Sequence, residues 1–194
     1  MKKYFCLIIL LFLFSFESIS QKIIDVPFTT DDKITIDGIL EKSEWQKSEK
    51  LSLDFETEPG YNTTPIVETV GFIQYSENFL YVAFHAKTNE PVRAAVRKRD
   101  DMGSLGNDLI GISIDTYGDG RNNVFIGSNP LGSQIDVRIM NSLTEEGRYD
   151  LAYDLEYESI GVIGDNEYFV ELKIPFSSIS FSNNKIQKWK FSFV

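Results

Sequence analysis

The chain has 194 residues and a formal net charge of −10, with 29 acidic against 19 basic side chains. A surface this acidic repels nucleic acid and anionic lipid, which excludes both as expected partners. The length suits one hydrophobic core and is short of two comfortable domains.

The first segment, residues 1–20, has the pattern of a secretory signal peptide. Two lysines open it, an unbroken apolar run extends from Tyr4 to Phe14, and two small serines precede the expected cleavage site. The run is well short of the about 20 apolar residues that a membrane-spanning helix needs. We therefore expect an exported domain over 21–194, in the periplasm, at the outer-membrane surface or outside the cell. Cys6, the one cysteine, leaves with the signal, so the domain is stabilised by its core without disulfides.

The rest of the chain predicts strands, with one short helical exception. The exception runs from Leu40 to Lys47 and is expected to form a single turn that seats Trp45. Five segments alternate apolar and polar residues with a period of two: 80–87, 110–115, 135–140, 168–174 and 189–193. We expect each of them to bury its apolar face, as the antiparallel strands of a two-layer sandwich do.

Turn-forming residues separate these segments. They are Gly118-Asp119-Gly120, Asn129-Pro130-Leu131-Gly132, Gly164-Asp165-Asn166 and Ser182-Asn183-Asn184. Strands at this spacing, with no intervening helical periodicity, predict an all-β, immunoglobulin-like antiparallel β-sandwich in a single domain.

The sequence gives little sign of catalysis. His85 is the one histidine, and strand parity places it with Tyr81 and Lys87, on the face away from the core. No Gly-x-Ser-x-Gly elbow, phosphate-binding loop or zinc-ligand spacing occurs in the sequence. Carboxylate pairs for glycoside hydrolysis stay open, because acidic residues are abundant. Haem held by Met102 and His85 is disfavoured, because His85 falls in the middle of a strand.

The segment from Asp115 to Gly120 concentrates hard oxygen ligands around a tight bend, which suits Ca²⁺. Asp115 and Asp119 are the candidate ligands. Tyr117 stands where an EF-hand-type loop carries Asp or Asn, and no glutamate closes the loop. The same residues suit a glycine-rich hairpin turn with solubilising aspartates, and both interpretations stay open.

The order of short motifs along the chain resembles a family 9 carbohydrate-binding module. The motifs are Ile36-Asp37-Gly38 with Trp45, Phe79 to Phe84, Arg99-Asp100-Asp101, Asn107-Asp108, Ile114 to Asp119, Asn129 to Asp136, Glu171 to Phe176 and the strand that begins at Trp189. The similarity extends from about Lys33 to the last residue. It looks closest to modules that precede an outer-membrane β-barrel in secreted bacterial proteins.

The resemblance implies a sandwich that binds glycans, often with bound Ca²⁺, and in which two aromatic side chains clamp a terminal sugar. Such modules are frequently attached to xylan- or cellulose-degrading enzymes, so hydrolase activity would be associated with this chain without being its own. Position within the motifs gives Tyr117, Arg99 and Asp108 as the candidate sugar-binding residues. Positions where relatives often carry tryptophan are here Tyr153, Tyr157 and Tyr168.

Two functions from different classes follow. The leading hypothesis is non-catalytic binding of a polysaccharide or oligosaccharide. The alternative is a periplasmic or surface module that packs against a partner or against the barrel of its own longer protein. The sequence stops inside an apparent strand at 190–194, which leads us to expect a fragment of a longer protein.

Overall fold

The structure, a computed structural model, confirms an all-β sandwich. The expected signal peptide and Met102 lie outside the residues that it describes. No helix among the described residues is long and apolar enough to cross a membrane. The described residues are 22–57, 60–101, 106–141, 144 and 147–194.

Within the part of the chain that the structure describes, ten antiparallel strands form two five-stranded sheets. The first sheet has the order β1-β2-β3-β9-β8, with β1 Glu49–Ser52, β2 Thr69–Tyr75, β3 Phe79–Lys87, β8 Glu158–Gly164 and β9 Glu167–Pro175. The second sheet has the order β10-β4-β5-β6-β7, with β4 Ile110–Asp115, β5 Asn122–Ser128, β6 Gln134–Met140, β7 Tyr149–Asp150 and β10 Lys190–Phe193. Among the described residues, one helical turn, α1, spans Lys42–Trp45, and 3-10 turns span Asp31–Lys33 and Phe176–Ser178.

The main core lies between the two sheets. Alternate residues of β3 and β9, such as Phe84 and Leu172, pack against Ile112 of β4 and Ile126 of β5, and all four are almost fully buried. Each such side chain contributes about 1.5–3 kcal/mol through burial. The predicted core faces of segments 80–87, 110–115 and 168–174 are thereby confirmed. Trp189 packs partly buried against the same core.

Strand β6 has the reverse of the predicted orientation. Asp136 lies directly opposite the core residue Ile126, so its carboxylate faces the inner side of the second sheet. Ile135 and Val137 therefore lie on the outer side, where both are buried. The expected burial of the apolar face of β6 is thus confirmed at Ile135 and Val137, but this face lies on the outer side of the sheet and not between the two sheets. The inward orientation is tolerated because Arg99 forms an ion pair with Asp136, and a buried charge needs such a partner.

An N-terminal strap, defined here as residues 30–48, covers the outer face of the first sheet. Tyr81 and Ala83 of β3 are fully buried beneath it, packed against Ile34 and Trp45. The outer face of β3 is therefore a second small core. The expected helical turn that seats Trp45 is confirmed as α1.

Glu171 of β9 anchors the strap. Its carboxylate is completely buried, and its Oε2 accepts hydrogen bonds from the backbone N–H groups of Asp37 (2.9 Å) and Gly38 (2.7 Å). Its Oε1 accepts a hydrogen bond from the Trp45 indole (2.9 Å). Gly38 has a φ of +81°, and a Cβ at that residue would lie 2.4 Å from Val162. The Asp37-Gly38 and Trp45 motifs are thus structural.

His85 lies on the outer face of the first sheet, as parity predicts. It is half-buried: its Nε2 lies 2.7 Å from a carboxylate oxygen of Glu167, and its ring stacks on Phe169 with centroids 4.6 Å apart. Packing on Phe169 and the contact with Glu167 therefore explain the position of His85 without a catalytic role.

Candidate functional site

The turn between β4 and β5 is organised by the carboxylate of Asp115. Its Oδ1 accepts the backbone N–H groups of Tyr117 (3.2 Å) and Gly118 (2.8 Å), and its Oδ2 accepts that of Gly120 (2.8 Å). Both glycines have positive φ, which lets the chain fold around the carboxylate. The turn holds Tyr117 at the surface, 59% exposed.

The same hydrogen bonds bear on the expected Ca²⁺ site. Three N–H groups already point at the two oxygens of Asp115, and Asp119 Oδ1 accepts the N–H of Arg121 at 2.9 Å. A cation needs oxygen lone pairs that face it without competing protons. The geometry therefore fits the hairpin-turn interpretation better, and Ca²⁺ at Asp115 and Asp119 stays a prediction.

A shallow depression lies beside this turn, on the outer face of the second sheet. Its volume is ≈ 200 Å³. The residues that line it come from the β4–β5 turn, the start of β5, the end of β6 and the segment before β7. They are Asp115, Gly120, Arg121, Asn122, Asn123, Ile139, Met140, Asn141 and Arg148. Amide and guanidinium groups predominate among the polar ones.

A row of side chains crosses three strands at this depression. Asn123 of β5, Ile139 of β6 and Tyr149 of β7 are direct register partners, so they share the outer face. Tyr149 is 51% exposed. The Oδ1 atom of Asn123 is buried and has no hydrogen-bond partner among the described residues. With strands about 4.8 Å apart, Asn123 and Tyr149 lie roughly 10 Å from each other across Ile139.

Asp108, another predicted sugar-binding residue, lies away from this depression. Asp108 and Tyr117 flank opposite ends of β4, which places them roughly 20 Å apart at the rise of an extended strand. Asp108 is bonded through both oxygens to Arg93, from its backbone N–H (2.9 Å) and its side chain (3.2 Å). One sugar therefore does not contact Tyr117 and Asp108 together, and each stays a separate prediction.

Arg99 lies in a carboxylate cluster on the inner side of β6. Its Nη2 lies 2.6 Å from Asp136 and 3.0 Å from Asp154, its Nε lies 3.4 Å from Asp100, and its guanidinium covers the ring of Tyr157 at 5.2 Å. The carboxylates approach closely enough to hold a cation, and Arg99 supplies the positive charge among them. Burial raises the pKa of Asp136, and Arg99 opposes that rise. A sugar-binding role for Arg99 stays a prediction.

The tyrosines that stand where relatives carry tryptophan do not form an exposed clamp. Tyr157 is almost fully buried, and its hydroxyl donates to the carbonyl of Gly127 at 2.7 Å. Tyr168 is buried in the main core, and Tyr153 lies partly buried under the guanidinium of Arg138. The exposed aromatic residues beside the depression are instead Tyr117 and Tyr149.

Sequence reasoning placed Tyr117, Asp115 and Asp119 in the turn beside the depression and did not select the residues that line the rest of it. Asn123 and Arg148 line it, and the register of β5, β6 and β7 brings Tyr149 onto the same face next to them. The one available signal is the Asn122-Asn123 pair directly after the Gly118–Gly120 turn.

Comparison with known proteins gives fold similarity only. No family model matches the chain, and no curated protein does either. A carbohydrate-binding module of family 9 from Caldicellulosiruptor kristjanssonii, solved in complex with glucose, is 15% identical, with a TM-score of 0.52 over 84% of this chain and 75% of that one. The same kind of module in complex with cellotriose is 14% identical, with a TM-score of 0.52 over 85% and 74%.

A Bacteroides uniformis protein proposed to bind carbohydrate is also 14% identical, with a TM-score of 0.55 over 76% of this chain and 71% of that chain. At identities this low, the comparison shows a shared fold of the backbone. It does not show that the side chains of a binding site are shared. The chain therefore has the β-sandwich fold of the family 9 carbohydrate-binding modules.

Proposed function

We propose that this protein binds carbohydrate, without chemically changing it, at the depression on the outer face of the second sheet. The observation that carries the proposal is the row Asn123–Ile139–Tyr149. It sets a buried acceptor, which has no partner among the described residues, and an exposed ring on either side of an apolar side chain. The shared fold with modules solved in complex with glucose and cellotriose supports it.

The row matches the two faces of a sugar ring. The ring of Tyr149 offers a flat apolar surface to the C–H side of a pyranose, and Ile139 extends that surface. A turn of the Asn123 side chain would bring its buried Oδ1 to a sugar hydroxyl and give this acceptor a partner. The surrounding amides and guanidinium groups donate to the remaining oxygens. Tyr117 is exposed in the turn that borders the depression and would add a second aromatic contact.

The wider setting that we propose follows the sequence. The signal-peptide pattern supports export to the periplasm, the outer-membrane surface or the medium. The resemblance to modules attached to xylan- or cellulose-degrading enzymes supports a role in the breakdown of such polysaccharides, with catalysis supplied by another domain or protein. Structural Ca²⁺ remains part of this proposal through the same resemblance.

Alanine in place of Tyr149 is expected to weaken sugar binding roughly tenfold, which corresponds to about 1.4 kcal/mol. The Asn123→Ala variant is expected to lose about 1 kcal/mol of binding free energy, because a hydrogen bond to the ligand is removed. Isothermal titration of the purified protein with a panel of oligosaccharides, including xylo- and cello-oligosaccharides, measures both.

Tyr61→Ala is the matched control, because Tyr61 is 94% exposed and belongs to neither sheet. Its affinity should equal that of the unmodified protein. If Tyr149→Ala and Asn123→Ala bind as tightly as Tyr61→Ala, the sugar does not occupy this depression. If a folded protein gives no heat with any sugar, carbohydrate binding itself is refuted.

A second candidate function, docking onto a protein partner such as an outer-membrane barrel, is favoured by one observation. Ile39, Ile160 and Val162 form an apolar strip on the outer face of the first sheet, and each is between 39% and 55% exposed. Partner docking through this strip predicts that Ile160→Lys abolishes capture of the partner and leaves sugar affinity unchanged. Unchanged capture by that variant would exclude the strip.

A further inference from the structure

The depression is basic in a protein that is strongly acidic. Arg121 and Arg148 line it, and Lys190 of β10 lies directly opposite Asp115 in the adjoining strand. Among the described residues that line it, Asp115 is the one acidic residue, and its oxygens already accept three backbone N–H groups. The chain as a whole carries a net charge of −10. The described residues that line the depression therefore carry a net positive charge, opposite in sign to that of the whole chain.

Hydrogen-bond donors outnumber free acceptors in the lining. The guanidinium of Arg121 carries five N–H donors and no acceptor, and each asparagine amide of the lining adds two donors. Among the described lining residues, the buried acceptor without a hydrogen-bond partner is Asn123 Oδ1. A neutral sugar presents hydroxyl groups that both donate and accept, so it would leave much of this donor capacity unused. A ligand with one or more hydroxyl donors and an additional strong acceptor satisfies the lining better.

Building on the proposed function, we propose that the preferred ligand is a sugar that carries a carboxylate, as a uronic acid residue does. A hydroxyl would donate to Asn123, and the carboxylate would accept from the guanidinium of Arg121. The planar fork of a guanidinium matches a carboxylate in two parallel hydrogen bonds. Arg121 is 81% exposed, so it reaches a ligand without disturbing the core.

Asp119 is the carboxylate that competes for Arg121. Its Oδ2 lies 3.9 Å from Arg121 Nε, and both side chains are exposed, at 46% and 81%. Pairs of this kind are screened by solvent and contribute little. A bound carboxylate that takes two parallel hydrogen bonds displaces such a contact at small cost.

Matched pairs of ligands test the proposal. The methyl glycosides of glucuronic acid and glucose, and those of galacturonic acid and galactose, differ only at C6, which is a carboxylate in the first of each pair and a hydroxymethyl group in the second. Titration calorimetry of the purified protein should show at least one acidic member binding tenfold or more tighter than its neutral partner. Raising the salt concentration should reduce this preference, because the attraction is electrostatic.

Arg121→Gln should bring the acidic and neutral members close to equal affinity. Lys42→Gln removes the same charge from an exposed residue of α1, on the outer side of the other sheet, and should leave the preference unchanged. Equal losses in both variants would show that overall charge alone sets the preference, which overturns the assignment to this depression. Neutral sugars that bind as tightly as their acidic partners overturn the carboxylate proposal and leave sugar binding intact. No binding by any member, with the protein folded, overturns both.

Discussion

Replacing Arg99 with methionine is expected to lower the free energy of unfolding by about 3 kcal/mol, because the substitution leaves a buried carboxylate without its cation. Asp136 has no exposed surface, and its Oδ1 lies 2.6 Å from Arg99 Nη2. Its other oxygen accepts the backbone N–H of Leu155 at 2.8 Å, which does not neutralise the charge. The Arg99 side chain is 31% exposed, so water can enter the space that it leaves. The expected loss of unfolding free energy is therefore near the lower limit for a broken buried ion pair. Urea denaturation followed by tryptophan fluorescence measures it.

Arg93→Met is the matched control for Arg99→Met. Arg93 also forms an ion pair with an aspartate, Asp108, yet its side chain is 75% exposed, so its loss should cost less than about 1 kcal/mol. The double variant Arg99→Met with Asp136→Leu should recover much of the lost stability, since the buried charge is removed with its partner. Equal stability losses for the Arg99 and Arg93 variants would show that Arg99 does not stabilise the fold by neutralising the buried Asp136. A loss of sugar affinity in Arg99→Met at unchanged stability would place Arg99 in the binding site instead.

Replacing Glu171 with leucine is expected to cost about 3 kcal/mol or more, because three donors of the N-terminal strap lose their acceptor together. The N–H groups of Asp37 and Gly38 and the indole of Trp45 all donate to this carboxylate. A buried donor left unsatisfied costs about 1–3 kcal/mol. The strap also covers Tyr81 and Ala83, so its release would expose a small core. Thermal unfolding of the variant, together with protease cleavage within residues 30–48, measures both effects.

The same carboxylate gives the protein a pH dependence of defined sign. Burial raises the pKa of Glu171 to about 7, from an ordinary value of 4.5. Between these values the folded state binds a proton that the unfolded state lacks. The contribution of Glu171 to stability is therefore fully present below pH 4.5 and decreases as the pH rises towards 7, by about 1.4 kcal/mol per unit of pKa shift at most.

Glu171→Gln should flatten the profile between pH 5 and 7, because the group that titrates is gone. Glu158→Gln is the control, since Glu158 is 62% exposed on the neighbouring strand and pairs with Lys173 at the surface. A profile of the unmodified protein that rises with pH across this range would show that the three donors hold Glu171 ionised in the folded state.

Alternation along the sequence was sufficient to predict β3, β4 and β9, because their inner residues pack against another apolar surface as a period of two requires. Turn chemistry located the bends around Gly118, Gly132 and Asn166, where the backbone has positive φ. The strand β5 was not predicted, because Gly127 and a polar start at Asn122-Asn123 break its alternation.

The parts that could not be predicted depend on contacts between distant segments. The inward orientation of Asp136 requires Arg99, 37 residues earlier in the chain. The burial of Tyr81 requires a strap that no local pattern assigns to that face. The depression forms only through the register of three strands. The sequence alone predicts the turn beside it but does not distinguish Asn123 and Tyr149 from other strand residues.

Mapping a bound sugar onto the structure tests carbohydrate binding at the second sheet most directly. Amide resonances of ¹⁵N-labelled protein should be followed by NMR while a binding oligosaccharide is added. We expect the shifted resonances to concentrate in the β4–β5 turn, at Asn123, at the end of β6 and at Tyr149, and those of the first sheet to stay unchanged. Shifts that gather around Arg99 and Asp108, or no shift with any sugar tested, would contradict sugar binding at this depression.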